Sequence, residues 1–175
     1  CDKDRTPLLR VGTNLWPGYA PLYLARSQGL LDTASIRLVE LPSATRVIHE
    51  LRNDNLEAAA LTLDETLSLL AEGLELRVVL VLDFSAGGDV LMAAPGVDSL
   101  KALKGRRVGV ESSAVGAIML DSALQAGGLS IEEVEVVPVT LDRQLVAFRS
   151  GEVEAVVTFE PIRTKLLASG ALILF

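Results

Sequence analysis

Several residue types are scarce in this chain of 175 residues, and each scarcity removes a class of function. There is one cysteine, Cys1, so neither an internal disulfide nor a cysteine-based metal cluster can form. There is one histidine, His49, set mid-helix between Ile48 and Glu50, where a packing or surface role fits better than catalysis. No Ser/His/Asp arrangement, metal-ligand cluster or phosphate-binding glycine loop is present, so no catalytic residue, metal or cofactor is expected. Aromatic residues make up only 4%, which leaves Leu, Val, Ala and Ile to build the core. No apolar run is longer than that at 78–82, which is strand-sized and far below the roughly 18–20 residues that cross a bilayer. Positive charge is scarce as well. The net charge is −7, spread as −4 over residues 1–83 and −3 over 84–175. With no basic face to replace phosphate counterions, a nucleic-acid partner is disfavoured.

What is present is a globular composition, 50% hydrophobic and 22% charged. Short Val/Leu/Ile runs alternate with amphipathic stretches, the pattern of α/β folds whose mostly parallel sheets are flanked by helical crossovers. Strands are predicted at 8–12, 36–41, 58–63, 76–82, 90–94, 107–110, 134–137, 153–159 and 171–175. Helices are predicted at 21–27, 44–53, 65–72, 99–103, 114–126, 141–150 and 161–168, with Ser43 capping the second. Arg10-Val11-Gly12 recurs as Arg107-Val108-Gly109, and Arg52, Glu57 and Ala58 recur at the same offset as Arg149, Glu154 and Ala155. Three separated segments sharing one offset predict two similar α/β lobes. The first spans 1–83, the second 90–175, and the crossover at 84–89 holds Gly87 and Gly88, which supply hinge freedom.

In open α/β sheets, ligands bind beyond the carboxyl ends of the strands. That rule selects 14–19, 42–45 and 62–65 in the first lobe, and 111–114, 140–142 and 159–161 in the second. If the lobes face each other, these loops line one cleft. Ser112 and Ser113 precede a long helix whose N-terminal amides suit a carboxylate or oxyanion, or one of them simply caps it. Trp16, the only tryptophan, sits in a Pro-Gly loop, as a cleft aromatic or as a plug on the first helix, and Tyr19 follows it. Asp64 and Glu160 stand at matching strand ends as acids for an amine or a ring N–H, Asp64 alternatively as a helix cap. Ser43, Thr62 and Asp83 complete the candidate set, and Arg46 is the only cation in these loops.

The run 10–19, Arg-Val-Gly-Thr-Asn-Leu-Trp-Pro-Gly-Tyr, followed by Pro21-Leu22-Tyr23-Leu24-Ala25, resembles the first strand, loop and helix of nitrate/sulfonate/taurine-type solute-binding proteins. The segments 99–110 and 148–161, the latter ending in Glu160-Pro161, resemble the second lobe of that family. The resemblance implies a periplasmic-binding-protein type II fold, a small-molecule solute captured by lobe closure, and delivery to an ABC permease with its ATPase. It also implies a lipoprotein, anchored to a membrane through Cys1 and therefore periplasmic or at the cell surface; an internal cut would also leave a leading cysteine. The cleft acids and Trp16 favour an amine-bearing, zwitterionic or pyrimidine-like solute. Family members cross back to the first lobe after a strand such as 171–175, where this chain stops. Apolar surface on the first lobe is then left for a partner, and a homo-oligomer or swapped dimer is expected; a strictly monomeric species at micromolar concentration would count against it. Two other classes are compatible with the fold. One is a pyrimidine-precursor-type enzyme, which would need a nucleophile, cofactor lysine or metal cluster. The other is a ligand-binding sensor module.

Overall fold

The computed structural model describes residues 7–111 and 115–175. The chain divides into two compact units, Cys1–Phe84 and Ser85–Phe175. In the first, β1 (Leu9–Thr13) lies between β2 (Ile36–Glu40) and β3 (Ala58–Ala59), all parallel. Helices α1 (Ala20–Ser27) and α2 (Ala44–Arg52) make the crossovers, and α3 (Leu63–Ala71) follows β3. Helix α2 starts where Ser43 Oγ accepts the Arg46 N–H at 3.2 Å, the capping the sequence predicts. Its Val47, Ile48 and Leu51 fall on one helical face and form a small core with Leu56 and Leu69.

The second unit has one sheet in the order β6-β5-β7-β4-β8. Its members are β4 (Val90–Ala93), β5 (Arg107–Val110), β6 (Glu135–Pro138), β7 (Ala155–Thr158) and β8 (Leu172–Ile173). Helix α4 (Gly116–Gly127) covers one face around Leu120, Ala123 and Leu124; α5 (Leu141–Arg149) and α6 (Ile162–Leu167) cover the other. Strand β5 is parallel to β6 and β7, whereas β4 is antiparallel to both β7 and β8. Among the described residues parallel pairings predominate, but this sheet is mixed, because β4 follows an extended connection and not a helical crossover.

The internal echo has a physical basis. Val11 pairs with Ala58 and Gly12 with Ala59; moved by 97 positions (11 to 108), the same register gives Val108 with Ala155 and Gly109 with Val156. In each unit the strand carrying the repeated Arg-Val-Gly lies between the next two strands in sequence, β1 between β2 and β3 and β5 between β6 and β7, and α2 and α5 coincide end for end at that shift. The repeated Arg and Glu are partners. Glu57 Oε2 accepts the Arg10 N–H at 2.7 Å, and Glu154 Oε2 accepts the Arg107 N–H at 3.2 Å. The repeated glycine lets a neighbouring apolar side chain close on the strand: a Cβ at Gly12 would strike Leu56, and one at Gly109 would lie 3.3 Å from Val153.

The Arg10–Glu57 clamp gives a pH prediction. The Arg10 guanidinium, then its backbone N–H, hold the Glu57 carboxyl down to about 2, against about 4.3 in an unfolded chain. Between these values the folded state binds fewer protons. The stabilisation is therefore complete above the unfolded value and is lost as pH falls through the folded one. Urea midpoints of Glu57→Gln are expected to fall less steeply than those of the parent between about pH 4.5 and 2. Equal slopes would contradict this.

One strand predicted from sequence is not formed. Residues 76–82 carry strong β-forming side chains, yet they join no ladder, and Val79 is 89% exposed. Strand propensity reflects fit to a paired, half-buried surface, and among the described residues no neighbouring strand supplies one. Elsewhere the differences are of length. The helix predicted at 99–103 is a 3-10 turn, Leu100–Leu103, and the strands predicted at 58–63 and 171–175 shrink to two residues each.

Candidate functional site

The carboxyl ends of the parallel strands carry a polar group of residues in each unit. In the first, β1 ends at Thr13 and Asn14, both buried, and the Thr13 hydroxyl shares a hydrogen bond with the Tyr23 hydroxyl of α1. Trp16 is held extended by the following Pro17, which opens a 3-10 turn, Pro17–Tyr19. The indole Nε1–H then donates to Asp83 Oδ2 at 3.0 Å. Gly18 lies beneath this bond, since a Cβ there would stand 2.5 Å from the indole nitrogen and collide with the Asp83 carboxylate. Tyr19 is only 4% exposed. Burial first, then the charges of Glu65, Asp83 and Asp64, push its phenol upward, so it is a neutral hydroxyl among carboxylates.

Helix α3 begins with a capping box between Thr62 and Glu65. Its firm arm is the Thr62 N–H donating to the buried Glu65 at 2.9 Å, while Thr62 Oγ1 falls short of good geometry and is buried without a partner. Capping of α3 therefore belongs to Thr62 and Glu65, and Asp64 beside them is partly exposed. Ser43 commits its hydroxyl to α2, and Arg46 pairs with Glu50 at 2.8 Å. His49 is a surface residue, its side chain 59% exposed.

In the second unit, Glu111 follows β5 and is buried, accepting the Leu141 N–H that opens α5 at 3.3 Å. Gln144, one turn into α5, donates from Nε2 to Val157 O at 3.0 Å. Thr158 closes β7 and is 1% exposed. Glu160 is joined to Pro161 by a cis peptide, and its carboxylate accepts the Thr164 N–H at 3.1 Å and the Thr164 hydroxyl at 2.9 Å. That acid thus has a local partner at the start of α6. Cys1, Ser112 and Ser113 lie outside the described residues.

Of the residues selected from sequence, the first unit brings together Trp16, Tyr19, Asp64 and Asp83, and adds Glu65. The signal for Glu65 was the Thr62-Leu63-Asp64-Glu65 spacing of a capping box. Gln144 and Thr158 carried no signal, being ordinary positions on an amphipathic helix and a buried strand. Among the described residues no His/Cys/Asp/Glu group is arranged to hold a metal, and no helix is long and apolar enough to cross a membrane.

Known proteins share this architecture. A family profile described as NMT1/THI5 like matches residues 16–170. The periplasmic aliphatic sulphonate binding protein SsuA from Escherichia coli is similar at a TM-score of 0.76 and 23% identity, over 96% of this chain and 60% of that one. The periplasmic nitrate-binding protein NrtA from Synechocystis PCC 6803 is similar at 0.77 and 14% identity, over 96% and 51%. An ancestral arginine-binding protein bound to arginine is similar at 0.62 and 19% identity, over 97% and 79%. The chain thus spans about 60% of the length of the sulphonate-binding protein it matches. No curated protein sequence matches it.

Proposed function

Because the chain belongs to the NMT1/THI5-like family, we propose that it is the solute-binding component of an ABC importer, holding a small polar solute at the carboxyl ends of its parallel strands. The fold it shares with periplasmic binding proteins supports this reading. The single observation that carries it is the Trp16–Asp83 bond over Gly18, beside buried Tyr19. A fixed aromatic plane with a carboxylate at its edge is a recognition surface.

The charge of the loops supports one ligand class. Asp64, Glu65 and Asp83 are close enough to act on Tyr19, and the one cation of these loops, Arg46, is engaged by Glu50. An amine-bearing, zwitterionic or pyrimidine-like solute fits this balance better than nitrate or a sulfonate. Capture by lobe closure about the 84–89 crossover, delivery to a permease with its ATPase, anchoring through a lipid on Cys1 outside the cytoplasm, and self-association through exposed 78–84 are parts of the same proposal.

Thermal-shift measurements with arginine, cytosine, taurine, nitrate and an alkanesulfonate test it. A molecule that binds only the folded state stabilises it by RT ln(1 + [L]/Kd), about 2.7 kcal/mol at a hundredfold excess over Kd. A saturable rise is expected with an amine-bearing or pyrimidine probe. A rise with nitrate or the alkanesulfonate alone would overturn the ligand class, and no rise with any probe would overturn solute binding.

A further inference from the structure

Among the described residues, three buried side-chain polar atoms have no hydrogen-bond partner: Thr62 Oγ1, Gln144 Oε1 and Thr158 Oγ1. All three lie at the carboxyl ends of parallel strands or on the helices that start there. Two of them belong to the second unit. The Gln144 amide is oriented by its bond from Nε2 to Val157 O, which leaves Oε1, an acceptor, as the open atom. Thr158 follows Val157 and shares its face of the strand with Val156, the face that packs under α5 and α6. Both residues are close to fully buried, Gln144 at 2% exposure and Thr158 at 1%. The chain leaves the sheet directly after Thr158 through Phe159 and Glu160, which are only partly buried, so the pair lies just beneath the surface of the strand-end loops.

The protein contains its own control. Helices α2 and α5 coincide at the shift of 97, as do the registers of β3 and β7, so the positions equivalent to Gln144 and Thr158 are Val47 and Leu61. Val47 is fully buried in the core of the first unit, and Leu61 packs against that core. The same architecture is therefore satisfied by two apolar side chains. The second unit instead buries two polar atoms without partners, a choice that lowers stability. Proteins retain such destabilising choices where function requires them.

We infer that Gln144 and Thr158 form a specificity-determining polar floor in the second unit, recognising an uncharged donor–acceptor edge of the solute: an amide, a ring N–H beside a carbonyl, or a hydroxyl. Gln144 Oε1 requires a donor, and the Thr158 hydroxyl can donate or accept. An oxyanion would gain only the Thr158 hydroxyl here, because Gln144 offers it only an oxygen and the Leu141 amide at the start of α5 is held by the Glu111 carboxylate. This rests on the solute-binding reading above, whose ligand class it narrows.

Thr158→Val tests it by deleting the hydroxyl and little else. Without solute, its melting temperature is expected to rise by about 3 °C, because an unpaired buried polar atom is removed. With cytosine as the probe, affinity is expected to fall at least about tenfold in Thr158→Val and in Gln144→Leu, while neither change creates a response to nitrate. A lower melting temperature of unliganded Thr158→Val would mean that the hydroxyl is satisfied by a structural water, and would overturn the inference. So would unchanged cytosine affinity in both variants. If the parent responds to no probe, the solute-binding reading fails, and the unliganded melting temperature still decides whether the pair is held against stability.

Discussion

Leu69→Ala is expected to unfold the first unit at urea concentrations where the second remains native. The core of the first unit is small: Leu69 is fully buried, and the buried residues around it are Val47, Ile48, Leu51 and Leu56. The second unit buries two larger clusters, one on each face of a five-stranded sheet. Truncating a buried leucine costs about 3 kcal/mol through lost transfer energy and the cavity left behind. A unit of this size holds little more than that. The chain's only tryptophan, Trp16, belongs to the first unit and reports on it selectively. Tryptophan fluorescence of the variant should therefore lose its transition at low urea, while far-UV circular dichroism keeps a later one. Coincident transitions by both probes would show that the units unfold together and that the small core is not the weak point.

Gly18→Ala should do the opposite, leaving stability close to the parent and removing most ligand binding. The added Cβ would fall on two side-chain ends, the Trp16 indole nitrogen at 2.5 Å and the Asp83 carboxylate. Asp83 is exposed and free to swing, so the fold is spared, but the Trp16–Asp83 bond cannot survive. An aromatic anchor that loses its orientation is expected to cost about 2 kcal/mol of affinity, or roughly thirtyfold. A blue- or red-shifted Trp16 emission with an unchanged urea midpoint would mark the displaced indole. Full affinity with a displaced indole would remove Trp16 from the binding surface.

The parts of the fold that could be read from sequence are those fixed by local chemistry or by repetition. The echo of Arg10-Val11-Gly12 with Glu57-Ala58 was visible because these residues bond to one another and are used twice, as Arg107-Val108-Gly109 with Glu154-Ala155. Ser43 was legible as a cap because capping acts over three residues. The run at 76–82 misled, since its side chains report strand propensity and carry no information on whether a partner strand exists. Glu160 reads from sequence as an acid at a strand end, whereas the bonds its carboxylate accepts from Thr164, one turn later, become visible only in the fold. The Trp16–Asp83 contact joins residues 67 apart, and nothing in either neighbourhood pairs them. Gln144 and Thr158 became conspicuous only once the superposable registers identified Val47 and Leu61 as their counterparts.

The exposed run also governs how the protein behaves outside its native state. Between Arg77 and Asp83 lie five consecutive apolar residues with no charge and no proline, and Val78, Val79, Leu80 and Val81 are all at least 60% exposed. Such a window is a nucleus for cross-β aggregation, with the two flanking charges as its only gatekeepers. Heating brings many copies of it together before the chain can refold, so thermal unfolding becomes irreversible and its apparent midpoint depends on the heating rate. A newly synthesised chain meets the same hazard, and its yield will depend on how quickly that window is shielded.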